Sequence, residues 1–221
     1  MSKKINIAID GPSGAGKSTV AKEVSKKLNY AFLSSGSIYR AIALNAINKN
    51  IDCDDVLAIV DSLQNIDIKV DDKENIYLFG ENVSKQIRED LVSKKSSKIA
   101  QYPDVRHFVV DFVQDITKKA KGFIMDGRDT TFKLMPHAEL KIFLTGTPEE
   151  RAKRRMLENK ERGFETDYAT VLAEVKQRDY TDINRETDPL HVTEDAILID
   201  TTNMTFDNVV DKIINLAKER M

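Results

Sequence analysis

The chain has 221 residues, 41% of them hydrophobic and 32% charged, with a formal charge of −2 at neutral pH. That length buries a substantial core, and the near balance of charge gives nucleic acid binding no support beyond a local basic site. A lone cysteine, Cys53, excludes an internal disulfide and a Cys-rich metal centre, and no apolar run reaches membrane-spanning length. With no apolar secretory region at its start, the sequence predicts a cytoplasmic protein without a membrane partner.

The first apolar run, Ile5–Ile9, leads straight into Gly11-Pro12-Ser13-Gly14-Ala15-Gly16-Lys17-Ser18, the phosphate-binding spacing G-x-x-x-x-G-K-[ST]. Glycines let successive N–H groups turn toward one anion, and the helix predicted from Thr19 to Lys27 adds the positive end of its dipole. Lys17 then reaches the outer phosphates and Ser18 offers a hydroxyl to Mg²⁺, so ATP with magnesium is the expected occupant of Gly11 to Thr19.

Further strand-length runs follow at Ala31–Leu33, Phe123–Met125, Leu140–Leu144 and Ala196–Ile199. They alternate with segments of helical period, the pattern of an α/β fold with a parallel sheet. Ile38–Asn48 and Asp54–Leu63 read as helices, the second with Val56, Ile59, Val60 and Leu63 on one face. Ile66–Val70 and Ile76–Leu78 flank Asp71-Asp72-Lys73-Glu74-Asn75 as a hairpin, within a β-rich insertion of about 65–85. Behind Pro103, the residues Val105, Val109, Phe112, Val113 and Ile116 recur at helical spacing, and 166–178 and 208–220 complete the helices.

Three arginine groups stand apart from this frame. Arg151, Arg154 and Arg155 follow a helix start at Pro148-Glu149-Glu150, with spacing that puts them on one face. With Lys160-Glu161-Arg162-Gly163 behind them, they read as a lid over phosphates rather than as an ordinary solvated face. Arg178, Asp182 and Arg185 fall at i, i+4 and i+7, two cations around one carboxylate on a helix face. Asp126-Gly127-Arg128-Asp129 ends a buried strand, where open α/β sheets bind ligands. A triphosphate and a monophosphate acceptor meeting in one cleft need such a ring of cations. The acceptor phosphate, with a second pKa of about 6, is already ionised and needs no general base. His107, His137 and His191 are scattered singly and form no catalytic constellation.

These stretches, together with Ser35-Gly36-Ser37-Ile38-Tyr39-Arg40 and Leu140-Lys141-Ile142-Phe143-Leu144, resemble the bacterial cytidylate kinases of the nucleoside monophosphate kinase superfamily. The resemblance spans nearly the whole chain. It implies a P-loop kinase fold with a five-stranded parallel sheet and helices on both faces. The core would be 1–34, 86–150 and 178–221, the monophosphate-binding region 35–85, and the lid about 151–177. It implies phosphoryl transfer from ATP to CMP or dCMP, with small-molecule partners and a monomer. Ser13, Arg40, Arg128 and Arg185 would hold the acceptor phosphate and Arg178 and Asp182 the ribose, with Ser35 beside them. Ser97, Arg106 and Asp129 would line the base pocket, where a carboxylate accepts from the exocyclic amino group of cytosine. Lys17, Arg128, Arg151, Arg155 and Arg185 would act on the transferring phosphoryl, Arg154 on ATP, and Ser18 with Asp126, through water, on the metal. Two departures from the family pattern stand out: Ser34 where an Asp is usual, and Thr130-Thr131-Phe132-Lys133 where an apolar residue, Gly and Thr are usual. They leave room for a related kinase of altered base preference, such as a uridylate-active one, or for a nucleotide sensor without turnover.

Overall fold

A computed structural model of the chain describes residues 3–71, 74–161 and 165–221. It divides into two compact units, residues 1–30 with 121–221, and residues 31–120. The strands β1 (Ile7–Asp10), β2 (Ala31–Leu33), β6 (Phe123–Gly127), β7 (Leu140–Thr145) and β8 (Ile197–Asp200) form a five-stranded sheet in the order β2-β6-β1-β7-β8. Strand ends differ from the sequence reading by one or two residues.

In the first unit β1 lies between β6 and β7, parallel to both, with Asp10 level with Gly127 on one side and Phe143 on the other. All four residues of β1 are buried, as expected of an Ile/Ala run covered on both faces. The parallel pairing matters for function, because it delivers the segments after β1, β6 and β7 to one edge. Helix α1 (Lys17–Leu28) buries Val20, Ala21 and Val24 and packs against α8 (Phe206–Lys218), which buries Val209, Val210, Ile213, Ile214 and Ala217. Asn29 stops α1 in the left-handed conformation, and the Thr205 hydroxyl starts α8 by accepting from Asn208 N at 3.2 Å. Helices α6 (Pro148–Glu161) and α7 (Tyr168–Asn184) pack through Ala152, Val171 and Val175.

The second unit is built on α2 (Ser35–Asn48), which buries Ile38, Ala41, Ile42, Ala43, Leu44 and Ala46 and is therefore covered on most sides. Around it lie α3 (Val56–Leu63), α4 (Asp90–Ile99) and α5 (Pro103–Lys119). The expected hairpin is present as antiparallel β3 (Ile68–Val70) and β4 (Ile76–Leu78), and a short third strand, β5 (Glu81–Asn82), extends it. Asp72 and Lys73 of the expected turn lie outside the described residues, as do Arg162 and Gly163 of the expected lid. Two readings change. Val56 is exposed and only Ile59 and Leu63 of its proposed face are buried. Helix α4 was not foreseen, because its buried stripe is only Val92, Ser96 and Ile99 in a Lys- and Ser-rich stretch. Helices α4 and α5 both pack on α2, and residues 86–120 belong to this unit.

Candidate active site

The phosphate loop is fixed by backbone sterics. Gly11 has φ +148°, and a Cβ there would sit 1.9 Å from the carbonyl oxygen of Leu144 in β7, so no other residue fits between the strands. Gly16, left-handed, precedes α1, whose first-turn N–H groups receive no side-chain cap and stay available to an anion. Lys17 is 5% exposed and donates its Nζ to the carbonyl of Pro12 at 2.7 Å. Burial, and next the Arg128 guanidinium, lower its pKa to about 7 against the opposing pull of Asp126, Asp10 and Asp182. Ser18 Oγ donates to Asp126 Oδ2 at 2.7 Å, which sets a hydroxyl and a carboxylate side by side at the end of β6. Two protein oxygens beside a phosphate loop suit Mg²⁺, which takes few protein ligands and completes its shell with phosphates and water. Among the described residues no group of three or more His, Cys, Asp or Glu forms a closed metal cage.

A second group of charges in the first unit converges on Asp182, 4% exposed. Its carboxylate takes Arg128 Nε at 2.6 Å and Arg178 Nε at 3.4 Å. The two-cations-around-one-carboxylate arrangement therefore exists, but its second cation is Arg128. Arg185 lies past the end of α7 with an extended backbone, off the helix face predicted for it. There it donates from Nε and Nη2 to the carbonyl of Asp188 and stands 3.7 Å from Asp129 Oδ2.

Asp10, buried at the end of β1, anchors the Thr130–Lys133 stretch. Its carboxylate accepts from Thr130 N at 2.9 Å, Thr131 N at 2.7 Å and Thr131 Oγ1 at 2.7 Å. Thr130–Leu134 thereby forms a π-helical turn, closed by Lys133 N and Leu134 N donating to Asp129 O, with no positive φ. Only side chains, not a glycine backbone, are needed here. Phe132 packs against His191 with ring centroids 4.3 Å apart and planes tilted by 35°, tying this turn to the segment that follows Arg185.

The three arginines of α6 do not share a destination. Arg151 is buried and donates to Gly146 O, Ser13 O and both carboxylate oxygens of Asp179. Arg154 donates to Thr201 Oγ1 at 2.8 Å and Thr201 O at 2.7 Å. It borders a largely apolar cavity of about 280 Å³ beside Gly16 and Thr19, walled by Leu157, Met204 and Phe206. Arg155 is exposed and, with Arg178, Ser13 and Gly14, lines a second cavity of about 230 Å³ on the other side of the loop. Shared spacing on one helix face thus leads to three different surroundings, with Arg151 sequestered in the fold and Arg154 and Arg155 bordering cavities.

In the second unit Ser35 and Arg40 lie on α2, Ser97 on α4 and Arg106 on α5. Ser34 caps α2 by position without a side-chain hydrogen bond, and Ser97 Oγ donates to Ser93 O at 3.0 Å. Sequence reasoning passed over Asp10, Asp179 and Thr201. The available signal was modest: a carboxylate ending an otherwise apolar strand, and one directly beside Arg178.

The family profile described as "Cytidylate kinase" matches residues 7–219 of the chain. A curated protein of Mycoplasmopsis agalactiae named cytidylate kinase is 69% identical over 221 residues, the whole of both chains. One of the same name from Caldicellulosiruptor saccharolyticus is 50% identical over 217 residues, covering 97% of this chain and 96% of its own. Among solved structures, an uncharacterized protein from Eubacterium ventriosum superposes with a TM-score of 0.55 at 18% identity, covering 99% of this chain and 100% of its own, a likeness of fold alone.

Proposed function

We propose, from the premise that this chain belongs to the cytidylate kinase family, that it transfers the terminal phosphoryl group of ATP to CMP or dCMP, giving ADP and CDP or dCDP. The observation that carries the reading is the pairing, in one unit, of a complete phosphate loop with a second cationic cluster. Lys17 and the Ser18–Asp126 pair stand at the end of β1 and β6, and Arg128 and Arg178 are held on Asp182 nearby in the same unit.

An acceptor phosphate oxygen attacks the terminal phosphorus without a proton to lose first, since its second pKa is about 6. Residues of this chain therefore act by position and charge. The loop N–H groups and Lys17 hold the donor phosphates, while Arg128, Arg185 and Arg40 hold the acceptor phosphate. Arg155 meets the transferring group from the lid side, and Arg154 faces the donor base. Asp129, with Ser97 and Arg106, reads the cytosine amino group, and Arg178 and Asp182 the ribose, with Ser13 and Ser35 lining the acceptor side. Lys17, lowered to about 7 in the free protein, gains its full charge as donor phosphates arrive and outweigh the cost of its burial. Magnesium, when bound by Ser18 and by Asp126 through water, would neutralise charge on the donor phosphates. Among the described residues no helix is long and apolar enough to cross a membrane; a monomer in the cytoplasm suits a catalyst of this kind.

The test is to incubate the protein with ATP, Mg²⁺ and CMP and resolve the products by ion-exchange chromatography. CDP and ADP formed one to one support the reading; ADP with inorganic phosphate and no CDP defeats it.

A further inference from the structure

A single turn of α7 sends carboxylates to both halves of the phosphate-transfer machinery. Asp179 takes Arg151 Nη1 at 2.9 Å and Nη2 at 2.6 Å, one oxygen each. The same guanidinium donates Nη1 to Ser13 O at 2.9 Å and Nε to Gly146 O at 2.8 Å, so it clasps the backbone of the phosphate loop and of the turn after β7. Three residues further along, Asp182 holds Arg128 and Arg178. Under the proposed reading the loop whose backbone Arg151 clasps holds the donor phosphates, and Arg128 holds the acceptor phosphate.

We propose that Asp179 is a positioning residue for phosphoryl transfer: through Arg151 it ties the phosphate loop to the helical turn that holds Arg128, so that α7 sets the donor-to-acceptor distance. The inference rests on the proposed phosphoryl transfer and names a residue that touches neither nucleotide.

Burial of the pair is deep, with side-chain exposures of 4% for Arg151 and 16% for Asp179. Such a buried ion pair is a poor device for stability, because desolvation offsets most of its attraction and apolar side chains of like volume fill the space as well. A bidentate guanidinium does supply direction, since its planar fork fixes every group it touches relative to the others. The loop is seated hard against this residue: a Cβ on Gly14 would lie 3.1 Å from Arg151 O and 3.2 Å from Arg151 Cβ. A displacement of Arg151 is therefore passed directly to Ser13 and Gly14. Misplacement of reacting groups by about 1 Å costs on the order of a hundredfold in rate.

The decisive variant is Asp179→Asn in the full chain, which keeps shape and one acceptor but loses the charge and the second acceptor. We expect kcat with CMP to fall roughly ten- to a hundredfold, the KM values for ATP and CMP to stay within about threefold, and more ADP than CDP to form as water intercepts a misaligned phosphoryl. Asp179→Glu, which restores the charge on a longer stem, is expected to recover part of kcat. Should Asp179→Asn fail to fold by circular dichroism, Arg151→Lys carries the same test, because an ammonium cannot hold Asp179, Ser13 and Gly146 together. A folded Asp179→Asn or Arg151→Lys enzyme with wild-type kcat and a one-to-one product ratio overturns the proposal, even if its melting temperature drops. Failure of the wild-type protein to make CDP would instead remove the reading of function on which it stands.

Discussion

Gly127 offers the sharpest test of how the acceptor segment is packed. A Cβ added there would lie 2.4 Å from Thr130 Oγ1, roughly 1 Å inside van der Waals contact, while Thr130 Cβ is 3.7 Å away. Thr130 is fully buried and, among the described residues, its hydroxyl meets no hydrogen-bond partner, so it is the close packing around the side chain that resists its turning away from an added methyl. Gly127→Ala should therefore cost about 1–3 kcal/mol by overpacking. Thr130→Ala loses a methyl worth about 0.8 kcal/mol but also removes a buried unsatisfied hydroxyl worth about 1–3 kcal/mol, so alone it should be neutral to stabilising by up to about 2 kcal/mol. In the double variant the clash is gone, and the cycle should show a favourable coupling of about 1–3 kcal/mol. Urea unfolding of the four proteins, with m-values compared, measures this directly. Additivity within about 0.5 kcal/mol would refute the steric reasoning and place the cost of Gly127→Ala elsewhere.

Lys17 should stand apart from the other lysines: after reductive ¹³C-methylation, one resonance of the nucleotide-free protein is expected to titrate near its pKa of about 7, and to vanish in Lys17→Ala, which also loses CDP formation. If every lysine titrates near 10, burial does not govern that site. Asp129→Asn should narrow the preference for CMP over UMP by at least tenfold in kcat/KM, since a carboxamide can serve either base edge; unchanged selectivity would mean the base is read by other residues. Glu139 is partly desolvated, which raises its pKa, but Asn6 N–H at 2.8 Å and Lys121 outweigh this and hold it below the usual 4.5. A depressed carboxylate contributes stability above its unfolded pKa and loses it as pH falls through the folded value. The stability gap between wild type and Glu139→Gln should accordingly be largest near neutral pH and shrink as pH falls through the lowered value; a gap that does not shrink on acidification contradicts the linkage.

Local pattern carried much of this fold. The buried runs of β1, β6 and β7 and the glycine spacing after β1 each express a constraint confined to a few neighbouring residues. Gly11, Lys17 and Ser18 accordingly lie in the loop and helix start after β1, where Ser18 donates to Asp126 of β6. What eluded the sequence depends on where helices end and which side chains meet across long separations. Arg185 sits at helical spacing from Arg178, yet α7 stops at Asn184, and the carboxylate between them draws its second cation from Arg128, 54 residues away. Arg151 shares the periodicity of Arg154 and Arg155 but falls against Asp179 and the phosphate loop, a contact that periodicity does not encode. Helix α4 was missed for a simpler reason, its apolar stripe being too thin to give a period.

The measurement that bears most directly on the proposed activity is ADP release from ATP and Mg²⁺ with CMP, dCMP, UMP, AMP and GMP offered separately. Turnover with CMP or dCMP at least tenfold above every other acceptor is the predicted result, and would show that Ser34 and the Thr130–Lys133 turn are compatible with cytosine selection. Equal turnover with several acceptors, or tight CMP binding without ADP release, would contradict it.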